Sequence, residues 1–183
     1  MLMANERENI ETAIAGDIIG IYDTGNYQIG DTLTTTKEPL FFEPLPTFPP
    51  ELFALVTPKD TMKAKQFQKG VAQLAQEGAI QVYRNQYNEV VIGAVGQLQF
   101  EVIQYRLENE YNAKCRWEPV HLYKACWIES DEEEELENFK KRKYQYMAKD
   151  KDGRDVFLAD SGYVLSMAQE DFKNIKFHFT SEF

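Results

Sequence analysis

Asp23-Thr24-Gly25 is the triplet in this chain that most invites a catalytic reading. Aspartyl hydrolysis needs two carboxylates sharing one proton, so a single copy could act only in a homodimer. The next residue is Asn26, not the small hydroxyl residue or alanine expected there, and Asp-Thr-Gly-Asn is good hairpin-turn chemistry. The residues favour the turn. Cys115, His121 and Cys126 offer soft donors, but their spacing fits no standard zinc pattern and a fourth ligand is missing. The acids at 131–135 lack the spaced oxygens and the glycine of a calcium loop. Gly93-Ala-Val-Gly96 has the spacing of a phosphate clamp, yet its interior is apolar and continues a strand. Neither Gly-x-x-x-x-Gly-Lys-Ser/Thr nor Gly-x-Gly-x-x-Gly occurs. His178 alternates with apolar neighbours and is expected to face solvent. No catalytic, cofactor-binding or metal-binding residue is assigned. The remaining chemistry is cationic: Lys63, Lys65 and Lys69 in one helical stretch, and Lys140, Lys141, Arg142 and Lys143 in another. Either group can meet RNA phosphate. The second can equally be a solvated helix face balanced by the acids at 131–135.

The net charge of -10 opposes wholesale binding to bare nucleic acid and confines any such contact to a local patch. With 43% apolar residues the chain can fill a core, but no apolar run approaches the roughly 20 residues of a membrane span. The start, Met-Leu-Met-Ala-Asn-Glu-Arg-Glu, is charged and too short for a secretory signal. Two cysteines make no disulfide framework in a chain of 183 residues. The expectation is a cytoplasmic, monomeric protein with reduced thiols and no membrane partner.

The elements that must position these groups follow from periodicity. Gly16-Asp-Ile-Ile-Gly-Ile-Tyr22 and Tyr27-Gln-Ile-Gly-Asp-Thr-Leu-Thr34 read as two strands with a turn between them. Two strands alone are not stable, so they belong to a larger sheet or are the tail of a β-domain. Five of the seven prolines fall within 39–50, an extended connector that puts a boundary near Thr47. A strand at 52–57 precedes a helix capped by Asp60, with Phe67, Val71 and Leu74 inward and Gly78 at its end. Strands at 79–84 and 89–95 follow. Gly96 is expected to allow a tight bend and close helix packing. The next helix sets Phe100, Ile103, Leu107 and Tyr111 on one face. A strand then places Ala113, Cys115 and Trp117 together. The order over 51–120 is β-α-β-β-α-β, the ferredoxin-like split βαβ pattern. Over 121–183 the pattern predicts β-α-β-α-β. It has a helix from Ser130 with a capping box to Glu133 and a possible extension through 144–147, and a second helix with Val164, Ala168 and Phe172 inward. The fold class is α+β: a ferredoxin-like unit fused to a second small α/β layer.

In order along the chain, Ala15-Gly-Asp-Ile-Ile-Gly20, Gln28-Ile-Gly-Asp-Thr32, Pro50-Glu-Leu-Phe53, Lys65-Gln-Phe-Gln-Lys-Gly70, Glu77-Gly-Ala-Ile-Gln-Val82, Gly93-Ala-Val-Gly-Gln-Leu-Gln-Phe100, Ala168-Gln-Glu170 and Ile175-Lys-Phe-His178 resemble the C-terminal part of the bacterial peptide chain release factor 3 family of translational GTPases. The resemblance implies that 1–46 are closing strands of the family's second, β-barrel domain with a linker, and that 47–183 are its third domain. It implies that GTP or GDP with magnesium binds a nucleotide domain that is not in this sequence. It implies a parent that uses GTP to promote departure of the stop-codon-reading release factor from the ribosome. The third domain would dock on small-subunit RNA and a ribosomal protein, without catalysis of its own. The rivals are the C-terminal module of another translational GTPase of the elongation-factor class and, remotely, the dimeric aspartic protease through Asp23.

Overall fold

The computed structural model describes residues 10–22, 27, 30–40, 42 and 48–180. Among these, regular structure begins at β1 (Leu52–Pro58). Asp60 accepts the Met62 N–H at 2.9 Å and caps a 3-10 turn, Thr61–Lys63, which leads into α1 (Ala64–Gln76). Gly78, at φ 66°, ends that helix. Then come β2 (Gln81–Asn85), β3 (Val90–Ala94), α2 (Gln97–Asn109) and β4 (Cys115–Val120). The sheet order is β4-β1-β3-β2, the split βαβ arrangement that the alternation predicts. Phe67, Val71 and Leu74 of α1 and Ile103 and Leu107 of α2 are buried against Ala54, Val56, Val82, Val90 and Ile92.

The helix-opening glycine plays a different part from the one expected. Gly96 has extended backbone (φ -159°, ψ 166°), and a Cβ there would meet open space. The close approach falls at Gly93, where a Cβ would lie 2.8 Å from Pro50 and 3.2 Å from the Tyr83 ring. A second falls at Gly70, 2.8 Å from the Tyr111 ring, where α1 crosses α2.

The second half contains β5 (Lys124–Glu129), α3 (Glu133–Arg142), β6 (Met147–Lys149), β7 (Asp155–Ala159), α4 (Gly162–Asp171) and β8 (Lys176–His178). The strand β6 has no counterpart in the sequence reading, which lets α3 run on through 144–147. Three residues are too few to show alternation, and pairing on both sides, with β2 and with β7, makes this segment a strand. The helix itself stops at Arg142. It also starts later than the capping box predicts. Ser130 Oγ accepts the Glu132 N–H at 3.1 Å in a local turn, which leaves no side-chain cap on α3. With β6 included, the second half is also β-α-β-β-α-β. The full order, β4-β1-β3-β2-β6-β7-β5-β8, reads as 4-1-3-2 followed by 2-3-1-4. Two like units thus meet antiparallel through their second strands, Arg84↔Lys149 and Asn85↔Ala148.

The sheet cannot be flat. Tyr83 on β2 and Trp127 on β5 have ring centroids 6.1 Å apart, although β6 and β7 lie between them. Three interstrand steps of about 4.8 Å would separate them by about 14 Å in a flat sheet. The sheet therefore folds over, and its helix-free faces enclose a third core of Phe53, Tyr83, Val91, Ala125, Trp127, Ala148, Val156 and Leu158. This explains why Tyr83, on the face of β2 opposite Val82, is completely buried.

The two strands expected at 16–22 and 27–34 do not form among the described residues. Ile14, Ile18 and Tyr22 are exposed there. Without further strands beside it, such a pair has neither enough ladder bonds nor a surface to cover its side chains. The turn at 23–26, with Asp23, and the boundary at Thr47 lie outside the described residues.

Candidate functional site

The cations divide by what holds them. In the second half most are neutralised within the chain. Lys140 Nζ contacts Glu137 and, at 3.4 Å, Asp155, and its hydrogen bond to Glu137 raises its pKa against the opposing effect of burial. Lys143 reaches Asp171 on α4 at 3.6 Å, Lys149 reaches Asp155 at 2.7 Å and Lys176 reaches Asp131 at 3.2 Å. The run from Lys140 to Lys143 is thus no uniform patch. Two members bind α3 to its neighbours, Lys141 is exposed, and Arg142 lies over the Phe172 ring at 5.9 Å. As the sequence suggests, acids fill the first turn of α3 and bases the last, both favoured by the helix dipole.

The first half is different. Lys65 and Lys69 lie one turn apart on the exposed side of α1, and half-buried Lys63 ends the 3-10 turn before it. Two lysines that the sequence reading did not select join this end. Lys59 N–H donates to the Lys114 carbonyl at 2.8 Å, because β1 and β4 are neighbours in the sheet. Among the described residues, no ion pair involves Lys59, Lys63, Lys65, Lys69 or Lys114. Asp60, in their midst, is occupied by capping. The available sequence signal was a lysine just outside each of two strand ends, and only the sheet order makes these neighbours.

The other candidate chemistry is dispersed. Cys115 belongs to the first core and Cys126 to the second. Burial pushes the Cys115 thiol up to about 11, with Glu108 adding to the shift and Lys59 opposing it. Burial likewise pushes Cys126 up to about 12, so both thiols stay protonated at neutral pH. Among the described residues, no three His, Cys, Asp or Glu side chains gather as a metal site requires. His178 does not simply face solvent: it is half-buried, with Nε2 3.0 Å from Glu129. No helix among the described residues is long and apolar enough to cross a membrane.

Comparison with known proteins agrees with the sequence motifs. The family model of the class II release factor RF3 C-terminal domain matches residues 42–169, and that of elongation factor G domain 2 matches residues 1–36. Relatives named peptide chain release factor 3 include one from Streptococcus uberis, 49% identical over 95% of this chain, and one from Streptococcus mutans, 50% identical over 94%. The chain spans about a third of the length of these curated relatives, 34% and 33% respectively. The match at 1–36 fits a remnant of a β-barrel domain, and among the described residues of that stretch Ile14, Ile18 and Tyr22 are exposed. With a family model covering most of the chain and about half of all residues identical to those of its relatives, the chain belongs to the class II release factor RF3 family, as that family's C-terminal domain.

Proposed function

We propose that this chain is the ribosome-docking module of a peptide chain release factor 3. Residues 1–46 end its second domain, and 47–183 form its third. In the longer protein, GTP binding and hydrolysis, with magnesium, would reside upstream and drive departure of the stop-codon-reading release factor. This part would dock without catalysis of its own. The observation that carries the reading is the lysine end of the first unit, which has no ion pair among the described residues, in a chain of net charge -10. Lys63, Lys65 and Lys69, joined by Lys59 and Lys114, are the proposed contacts to small-subunit RNA. Lys141 and Arg142 are a lesser second contact, since Lys140 and Lys143 already have acid partners.

Co-sedimentation with small ribosomal subunits across a salt series tests this. Lys65→Glu/Lys69→Glu is expected to weaken binding and to flatten the salt dependence, because each phosphate contact contributes roughly 0.7–0.9 to the log–log slope. The same reversal at Lys141 and Arg142 is expected to act less. Salt-insensitive binding, or an unchanged slope in the first variant, would remove these lysines from the interface.

A further inference from the structure

The chain enters the first unit as a short strap, residues 48–51, and is fastened there at three points. Gln81, paired with Gly93 across β2 and β3, donates from Nε2 to the Phe48 carbonyl at 3.1 Å. Pro50 is buried on Gly93, so close that a Cβ there would lie 2.8 Å from it. The Glu51 N–H donates to the Ala94 carbonyl at 3.0 Å, just before the Leu52↔Ala94 pair where the β1–β3 ladder begins. Among the described residues, the hydrogen bonds to the strap come from the first unit alone. On its other side lies a cleft bordered by Tyr123, Lys124 and Phe179 of the second unit, which leaves the strap room to lift away.

The fastening at Gln81 is itself built on the core. Its Oε1 accepts the Tyr83 hydroxyl at 2.6 Å, and Tyr83 is wholly buried, with its ring against those of Phe53 and Trp127. With Oε1 committed to that hydroxyl, the donor end of the amide is the one left to meet Phe48. The outer bond can therefore open without disturbing the inner one. One such bond shifts an opening equilibrium by up to about tenfold. Upstream, the barrel-domain match ends at residue 36, and the sequence from there to the strap carries Pro39, Pro44 and Pro46, each of which fixes its φ. Restricted in this way, a chain keeps a direction imposed at one end better than a glycine-rich tether does. We propose that Gln81, oriented by Tyr83, is a latch that sets the direction in which the chain leaves for the barrel domain, and so the attitude of the upstream domains to this one. Gln81 is a positioning residue, acting through the strap. This rests on the reading above that a barrel domain precedes residue 47.

Spin labels on Phe48→Cys and Tyr163→Cys, both exposed positions, report the strap against α4 by pulsed electron resonance, while Cys115 and Cys126 are buried and stay unlabelled. The chain with Gln81 intact is expected to give one narrow distance. Gln81→Glu keeps an oxygen for Tyr83 but replaces the amide donor with a carboxylate that repels the Phe48 carbonyl. It is expected to widen the distance distribution about twofold and to speed amide exchange at Glu51 about tenfold, with exchange along β3 and the melting temperature unchanged. In the longer protein that completes the barrel, the Tyr163 label paired with one on Lys37 is expected to widen with the same substitution. An unchanged distribution, or unchanged exchange at Glu51, overturns the latch and leaves the docking reading in place. Faster exchange throughout β3 marks general loosening and also overturns it. Widening at Phe48 with none at Lys37 overturns the claim on the upstream domains. Failure of the unsubstituted chain to sediment with subunits overturns the docking reading alone, since that assay does not read the strap.

Discussion

Asp150 shows how much a single side chain can hold in this fold. It is 8% exposed and accepts hydrogen bonds from Trp127 Nε1 and Arg154 Nε, both at 2.8 Å, and from the backbone N–H groups of Asp152 and Arg154 at 2.9 Å. Burial alone would push its carboxyl up. The bonds from Trp127 and Arg154, with the nearby guanidinium, outweigh that and hold it below the usual carboxylate value. A lowered folded-state pKa contributes stability that is complete above the unfolded value, near 4, and is lost as pH falls through the folded one. Asp150→Ala is expected to cost about 2–3 kcal/mol at neutral pH, since it removes the acceptor of the buried Trp127 N–H and of the Asp152 and Arg154 backbone N–H groups. The gap between variant and parent should narrow in denaturant melts below about pH 4; a constant gap would show that the charge is not what matters. Gly93 gives a second prediction at this scale. A methyl there meets Pro50 and the Tyr83 ring, so Gly93→Ala is expected to cost about 1–3 kcal/mol by the same melts, while Gly96→Ala, facing open space, costs less than 1. The sequence reading placed the close packing at Gly96, and the structure places it at Gly93. Crowding comes from Pro50 and Tyr83, which are remote in the chain. Asp150 was hidden in what reads as an ordinary polar turn.

At the scale of elements, the helices were the most legible, because a 3.6-residue period declares its own buried face. Phe67, Val71 and Leu74, then Ile103 and Leu107, are buried as that period requires. Helix ends were harder, since caps depend on local hydrogen bonds that several residues could make. Ser161 caps α4 by accepting the Val164 N–H at 3.3 Å, whereas Ser130, three residues before α3 begins, accepts the Glu132 N–H instead. At the start of α2 a glutamine does the work. Gln99 Oε1 accepts the Val95 N–H at 2.8 Å, and its Nε2 donates to the Ala79 carbonyl, fixing the helix start to the α1–β2 connection. Gln99→Ala is expected to cost about 1–2 kcal/mol and to speed amide exchange at Val95. Normal protection at Val95 in that variant would contradict this role. The strand β6 was illegible for the opposite reason: three residues carry no period, and their conformation is set by the strands on either side.

For the whole molecule, the two units share one sheet and a third core, so the part from Phe48 onward is expected to melt in a single transition. Among the described residues, 10–40 contribute none of the core, and several of their large apolar side chains lie open. Deleting residues 1–47 should therefore leave the melting temperature within a few degrees and reduce self-association by light scattering. A large drop would mean that the barrel-domain remnant packs on the sheet. The sequence by itself determined the family, the α+β class, the first split βαβ unit and the inward faces of its helices, because these are written in local period and in motif order. It also located the cations. Tertiary structure alone decided which cations remain available, since pairing by Asp155 and Asp171 depends on how α3 lies against β7 and α4. It alone brought Lys59 beside Lys114, revealed that the second half repeats the topology of the first, and closed the sheet on Tyr83 and Trp127. Each of these depends on contacts between segments distant in the chain, and no local pattern of residue types encodes them.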